Sequence, residues 1–264
     1  MMRFRAALLS AAVFAFFSSV HVWAISPDGL RLVQVSTVNA LMAGSYDGVA
    51  EIKQLLQFGN FGIGTVDAID GELILYNGVP YVAKSDGTVV IAPNTETVPF
   101  ASVYRIDRGN LISERFTGPI TRDEFLRRVD RLAANPSLFY AVLFEGNFVS
   151  VDARSERKQE KPYRSLAETM KDAEVRFHYT DRSGVLIGFR SPGFVGGLNV
   201  PGCHLHFISS DRTLGGHAVD FVLASGRISV QPIPNFTVCL PEMLSVAPEE
   251  LSRDRSAEIE TIER

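Results

Sequence analysis

The chain has 264 residues, 46% of them hydrophobic and 21% charged, with 21 glycines and 13 prolines. That composition excludes a collagen-like repeat, a coiled coil and a wholly disordered polymer, and the length is sufficient to bury a sizeable core. Lysine and arginine number 26 against 30 acids, for a net charge of −4, and no basic block occurs anywhere, which argues against a nucleic-acid partner.

The first residues differ from the rest. Met1-Met2-Arg3-Phe4-Arg5 is short and basic, residues 6–17 are almost wholly apolar, and Val22-Trp23-Ala24 is a small-x-Ala ending. The pattern predicts a secretory signal peptide over 1–24, cut after Ala24, and therefore export to the periplasm or beyond the cell. Its apolar core is shorter than the roughly 20 residues a membrane-spanning helix needs, so no membrane association is expected after cleavage. Two cysteines remain, Cys203 and Cys239, and they read as inert buried thiols rather than as a disulfide framework.

From residue 25 to 58 the second half is helical in pattern, with Val49, Ile52, Leu55 and Leu56 on one face. The run Gly59-Asn60-Phe61-Gly62-Ile63-Gly64 then reads as a glycine-rich loop, without the spacing of a dinucleotide fingerprint. Short β-type runs follow at 73–76, 81–83 and 88–92, punctuated by Asn77-Gly78 and Asp86-Gly87, which predicts antiparallel hairpins. Residues 121–134 have helical spacing, with Thr121 as N-cap and Asp123-Glu124 in the first turn. Strand character returns over 137–151, and a further helix is expected over 165–173. The last third is largely β, with runs at 175–179, 184–190, 204–208, 217–223, 227–231 and 236–240, as in an antiparallel sheet or barrel. A charged tail from 248 to 264 is predicted to be helical.

His204-Leu205-His206 followed by His217 is the feature that carries most chemistry. Strand side chains alternate, so His204 and His206 share a face while Cys203 and Leu205 take the other. The run from Ser209 to Gly216 can turn the chain so that His217 returns on an adjacent strand. Three neutral imidazoles facing one point suit zinc or another borderline divalent ion, with a coordination position left open for catalysis. The alternative reading is three strand histidines satisfied by backbone carbonyls or solvent. On these residues alone, an exported metal-dependent catalyst and a non-enzymatic zinc-binding module both remain. So does a cupin-like oxygenase or isomerase, although Phe207-Ile208-Ser209-Ser210-Asp211 lacks the glutamate cupins usually place there.

The window Asn199-Val200-Pro201-Gly202-Cys203-His204-Leu205-His206-Phe207, with Asp211-Arg212-Thr213-Leu214-Gly215-Gly216-His217, resembles the zinc-binding region of the α-acetolactate decarboxylases. Thr65, Asp70-Gly71-Glu72, Pro99-Phe100-Ala101-Ser102, Gln159-Glu160-Lys161-Pro162-Tyr163 and Ile259-Glu260-Thr261-Ile262-Glu263 match that family in order. The resemblance implies an α/β (α+β) fold with an N-terminal mixed-sheet part over about 25–165 and a C-terminal antiparallel β-barrel part over about 166–264. It also implies a homodimer, Zn2+ held by His204, His206 and His217, and a site lined by Glu72, Arg154 and Glu263. Arg157 and Arg164 are the alternatives to Arg154, and Glu260 is the alternative to Glu263. The implied reaction is loss of CO2 from 2-acetolactate, a 2-hydroxy-3-oxo acid, through a metal-stabilised enediolate. In that reading Arg154 orients the carboxylate, and Glu72, or else Glu263, supplies the proton.

Overall fold

The computed structural model describes residues 30–242 and 246–263; the signal peptide expected at 1–24 lies outside the described residues. The chain opens with strand β1 (Arg31–Val35), helix α1 (Val38–Met42), the two-residue β2 (Ala50–Glu51) and α2 (Ile52–Phe58). Strands β3 (Phe61–Thr65), β4 (Glu72–Tyr76), β5 (Val79–Ala83), β6 (Val89–Ile91), β7 (Thr97–Val98), β8 (Phe100–Tyr104) and β9 (Ile112–Thr121) follow. The rest is α3 (Arg122–Leu132), β10 (Phe139–Glu156), α4 (Leu166–Ala173), β11 (Glu174–Ser191), β12 (Gly202–Ser209), β13 (Gly215–Ile233), β14 (Asn235–Cys239), α5 (Pro248–Leu251) and α6 (Ser256–Ile262).

One sheet has seven strands in the order β14-β1-β8-β3-β4-β5-β6; β1 and β14 run parallel and every other pair is antiparallel. In the second sheet β10, β11, β12 and β13 pair successively and β13 pairs back to β10, so four antiparallel strands close into a ring that β9 extends. The mixed fold expected from the sequence is therefore present. The chain alternates between the sheets, since β14 returns to pair with β1 after the ring is complete.

Local chemistry accounts for these elements. Asn77 and Gly78 both take positive φ, 53° and 79°, and so make the tight hairpin between β4 and β5. Thr121 Oγ1 accepts from Glu124 N and caps α3, whose buried Phe125 and Val129 face the ring. The glycine-rich run is not a loop: Phe61–Thr65 is strand β3, between β4 and β8. A Cβ on Gly64 would lie 2.3 Å from Phe100 O, so its glycine serves close strand approach and not a turn. The runs at 175–179 and 184–190 likewise form one continuous strand, β11, which passes through Asp181 at φ 51°. Val49 lies ahead of α2 and is exposed rather than on its buried face.

Between the two sheets lies a core that includes Phe61, Ile63, Ile74, Leu143, Ile187, Phe189 and Ile208. Inside the ring, Phe125, Phe144, Phe148, Phe207 and Phe221 pack edge to face, with Phe148 and Phe207 centroids 4.9 Å apart. Burying each such ring contributes about 1.5–3 kcal/mol, which makes this end of the molecule a rigid support for β12 and β13. Cys203 packs at its edge, where burial pushes its thiol up to about 12. Cys239 is exposed, contrary to the expectation of two buried thiols, because it is the last residue of β14, an edge strand paired on one side only, with Val35 as its partner; both cysteines are free. Among the described residues no helix is long and apolar enough to cross a membrane.

Candidate active site

The three histidines meet where the ring closes. β12 and β13 pair over only three residues, His206 opposite His217, Phe207 opposite Gly216 and Ile208 opposite Gly215. Alternation puts His204 on the same face as His206, and the cross-strand pairing adds His217. Gly216, at φ 143°, lets β13 pass β10 closely, since a Cβ there would stand 2.5 Å from Arg154 O. The turn between the two strands is held by Ser209 Oγ, which accepts from Leu214 N at 3.0 Å.

One ring nitrogen from each histidine lies within 4.8 Å of the others, and His204 Nε2 is 3.3 Å from His206 Nε2. His206 Nδ1 donates to Leu73 O at 3.0 Å, which fixes the tautomer and leaves the Nε2 lone pair facing inward. Burial holds His206 and His217 well below the ordinary 6.5 and lowers His204, so all three rings stay neutral. Neutral, convergent and oriented by a carbonyl, this donor set fits a divalent cation of the zinc type.

Acids approach from two other parts of the chain. Glu72 begins β4 directly after a turn in which Gly71 takes φ 106°, and a Cβ on that glycine would meet Ala83 O at 2.6 Å. Thr65 Oγ1 donates to Gly71 O at 2.9 Å and Lys84 Nζ holds Asp70 Oδ2 at 2.9 Å, so the turn is tied on both sides. Glu72 Oε2 then stands 3.4 Å from His206 Nε2. Glu263 follows the last residue of α6, with Oε2 3.8 Å from His204 Nε2 and 3.7 Å from His217 Nε2. Helix α6 is held there by buried Ile259, and the segment ahead of it by Arg255 pairing with Glu250 and by Asn39, whose Nδ2 donates to Leu251 O and Arg253 O. Glu260 is exposed, so Glu263 is the acid that faces the histidines.

Arg154, opposite His217 in the β10–β13 register, is 4% exposed. Its guanidinium reaches Glu174 Oε2 at 3.4 Å and donates to Ile262 O, and its Nε is buried without a hydrogen-bond partner among the described residues. Burial opposes its charge, but Glu156, Glu263, Glu72 and Glu174 together raise its pKa. Arg157 and Arg164 are both exposed and occupied by Asp172, which leaves Arg154 as the arginine of the site.

Glu156 is the residue sequence reasoning missed. It is 5% exposed, lines the same cavity and exchanges a hydrogen bond with Glu72. Burial first, then the neighbouring Glu156 charge, raises Glu72 well above the ordinary 4.5; burial raises Glu156 too, against the pull of Arg154, so the pair as a whole is biased toward holding a proton. Apart from Thr65, the rest of the cavity is apolar and includes Val38, Met42, Phe100, Leu166, Met170 and Ile259.

Comparison with known proteins bears on this arrangement directly. The profile of the α-acetolactate decarboxylases matches residues 32–253. The chain belongs to that family. α-Acetolactate decarboxylase of Methanosarcina mazei is 37% identical over 241 residues, covering 88% of this chain and 80% of its own. The relative from Klebsiella aerogenes is 34% identical over 231 residues, covering 85% of this chain and 83% of its own. The crystal structure of the Bacillus subtilis strain 168 enzyme superposes with a TM-score of 0.81 at 32% identity, over 88% of this chain and 99% of that one. Membership in this family sets aside the cupin-like reading. Glu263 lies beyond the span of the family profile, and folding brings it to the histidines nonetheless.

Proposed function

We propose that the protein catalyses the zinc-dependent decarboxylation of 2-acetolactate to acetoin and CO2, with His204, His206 and His217 holding the metal. The observation that carries this reading is the meeting, at one cavity, of three convergent imidazoles, a buried carboxyl whose surroundings favour its protonated form, and an arginine with an unused donor. A bound zinc ion supplies Lewis acidity toward the enediolate oxygens that gain charge as CO2 leaves, an effect worth several kcal/mol.

The chain's own groups do the remaining work. Arg154 Nε is available to one oxygen of the substrate carboxylate and aligns the bond to be broken. The carboxylate loses its charge as CO2 forms, so this contact serves orientation and cannot be strong without slowing the step. The electron pair of the broken C–C bond passes into the adjacent ketone. Glu72, 3.4 Å from His206 Nε2 and biased by burial toward its acid form, then gives a proton to the carbon that lost CO2. Val38, Met42, Phe100, Leu166 and Met170 keep water from that carbon and lower the local dielectric.

Incubation of zinc-loaded protein with 2-acetolactate is expected to release acetoin and CO2 in equal amounts, with one acetoin enantiomer in excess because Glu72 stands on one side of the cavity. Folded, zinc-loaded protein that yields no acetoin overturns the proposal.

A further inference from the structure

The end of β10 carries Arg154, Ser155 and Glu156 in succession, at 4%, 0% and 5% exposure. Alternation turns Arg154 and Glu156 to the cavity and Ser155 away from it. Ser155 Oγ donates to Ala83 O at 2.8 Å, and Ala83 is the register partner of Glu72. That bond pins the end of β10 to the β4–β5 hairpin and sets Glu156 against the Glu72 carboxyl. On its other side Glu156 Oε1 lies 3.8 Å from Arg154 Nε, the donor that has no hydrogen bond. Glu156 therefore stands between the arginine and the proton donor, both of which line the cavity.

A buried arginine facing only a substrate carboxylate would bind that carboxylate most tightly before decarboxylation, when its charge is intact. Such binding deepens the ground state and not the transition state. A fixed carboxylate beside the guanidinium offsets part of this attraction, more strongly in a cavity than it would in open water.

We propose that Glu156 is a positioning residue for the decarboxylation: by sharing Arg154 it moderates the hold on the substrate carboxylate, while its contact with Glu72 keeps the proton donor in line. This inference rests on the proposed function. It makes Glu156 a determinant of how strongly the site favours anionic over neutral ligands of the same shape.

The test compares wild type and Glu156→Gln as zinc-loaded full-length proteins, with zinc content measured first. Titration calorimetry uses 2-hydroxyisobutyrate, a 2-hydroxy acid with no ketone and so unable to decarboxylate, and acetoin, which has the hydroxyketone but no carboxylate. Glu156→Gln is expected to bind 2-hydroxyisobutyrate about threefold more tightly or better and acetoin unchanged. In turnover, KM for 2-acetolactate falls and kcat falls with it, the signature of a deeper ground state. Unchanged or weaker 2-hydroxyisobutyrate binding, or an equal shift for acetoin, overturns the proposal, because a merely structural role would not separate the two ligands. Glu156→Met keeps the length without the charge and is expected to give the same split if the amide is not accommodated. The binding comparison needs no turnover: a wild type that forms no acetoin overturns the proposed function, whereas equal anion binding by the variants overturns this inference alone.

Discussion

The two walls of the cavity are built by different means. The histidine wall belongs to β12 and β13, is backed by the phenylalanine core of the ring, and keeps its geometry through the unbroken pairing of β12 with β11 and the pairing of His206 with His217. The facing wall is assembled from the first residue of β4, the last residues of β10 and the residue that ends α6, held by single hydrogen bonds and ion pairs. A metal site needs ligands fixed to a fraction of an ångström, and the register of a closed sheet supplies that. Acid–base groups need a tuned environment more than a rigid one, and burial among charges supplies it from distant segments.

The sharpest break in this division comes from the histidine wall. His206→Ala is expected to lose stoichiometric zinc, measured by atomic absorption, and to lower kcat/KM about a thousandfold or more. Glu72→Gln tests the facing wall: zinc is retained, while kcat falls about a hundredfold or more because the amide carries no transferable proton. A Glu72→Gln protein with full turnover would remove the proton donor from the account. Glu263→Gln is expected to weaken zinc affinity about tenfold in competition with a chromogenic chelator, since its oxygen lies within 4 Å of two ligand nitrogens but is carried by a short terminal helix.

The histidine wall also has a pH signature. His206 and His217 have folded pKa values depressed below 6.5 by burial, so just below pH 6.5 the unfolded chain binds protons that the folded chain refuses. Metal-free protein is therefore expected to lose stability as pH falls through that window, read as the urea midpoint at about pH 7.5 and about pH 5.5. Glu72, with its pKa raised, has the opposite sign: its contribution is lost as pH rises above 4.5. The difference in slope between wild type and His206→Ala isolates the histidine part. The smallest effect is expected far from both walls. Thr121→Ala removes the α3 cap at a cost of about 1 kcal/mol in urea unfolding and leaves kcat/KM unaltered.

The same contrast governs what could be read in the sequence. His204, His206 and His217 were legible because strand alternation and one turn bring them together with no help from the rest of the chain. Glu72 and Glu263 became legible only through resemblance, since neither a hairpin glutamate nor an acidic tail carries a local signal. Glu156 was missed although a signal existed: it alternates with Arg154, but the strand was expected to end at 151, five residues before β10 does. Turn-forming residues misled in the same way. Gly62 and Gly64 mark close approach of β3 to β8, and Asp181 and Gly184 lie inside β11, where sheet pairing overrides local preference. The Asn77-Gly78 hairpin and the Thr121-capped helix were legible because their chemistry is local.

The most direct test of a metal-dependent decarboxylase is acetoin formation from racemic 2-acetolactate by protein as purified, after exhaustive chelation, and after zinc is restored. Acetoin that disappears with chelation and returns with zinc is the result this account predicts. Turnover that survives complete removal of metal from folded protein would contradict it, because the three histidines would then have no part in the reaction.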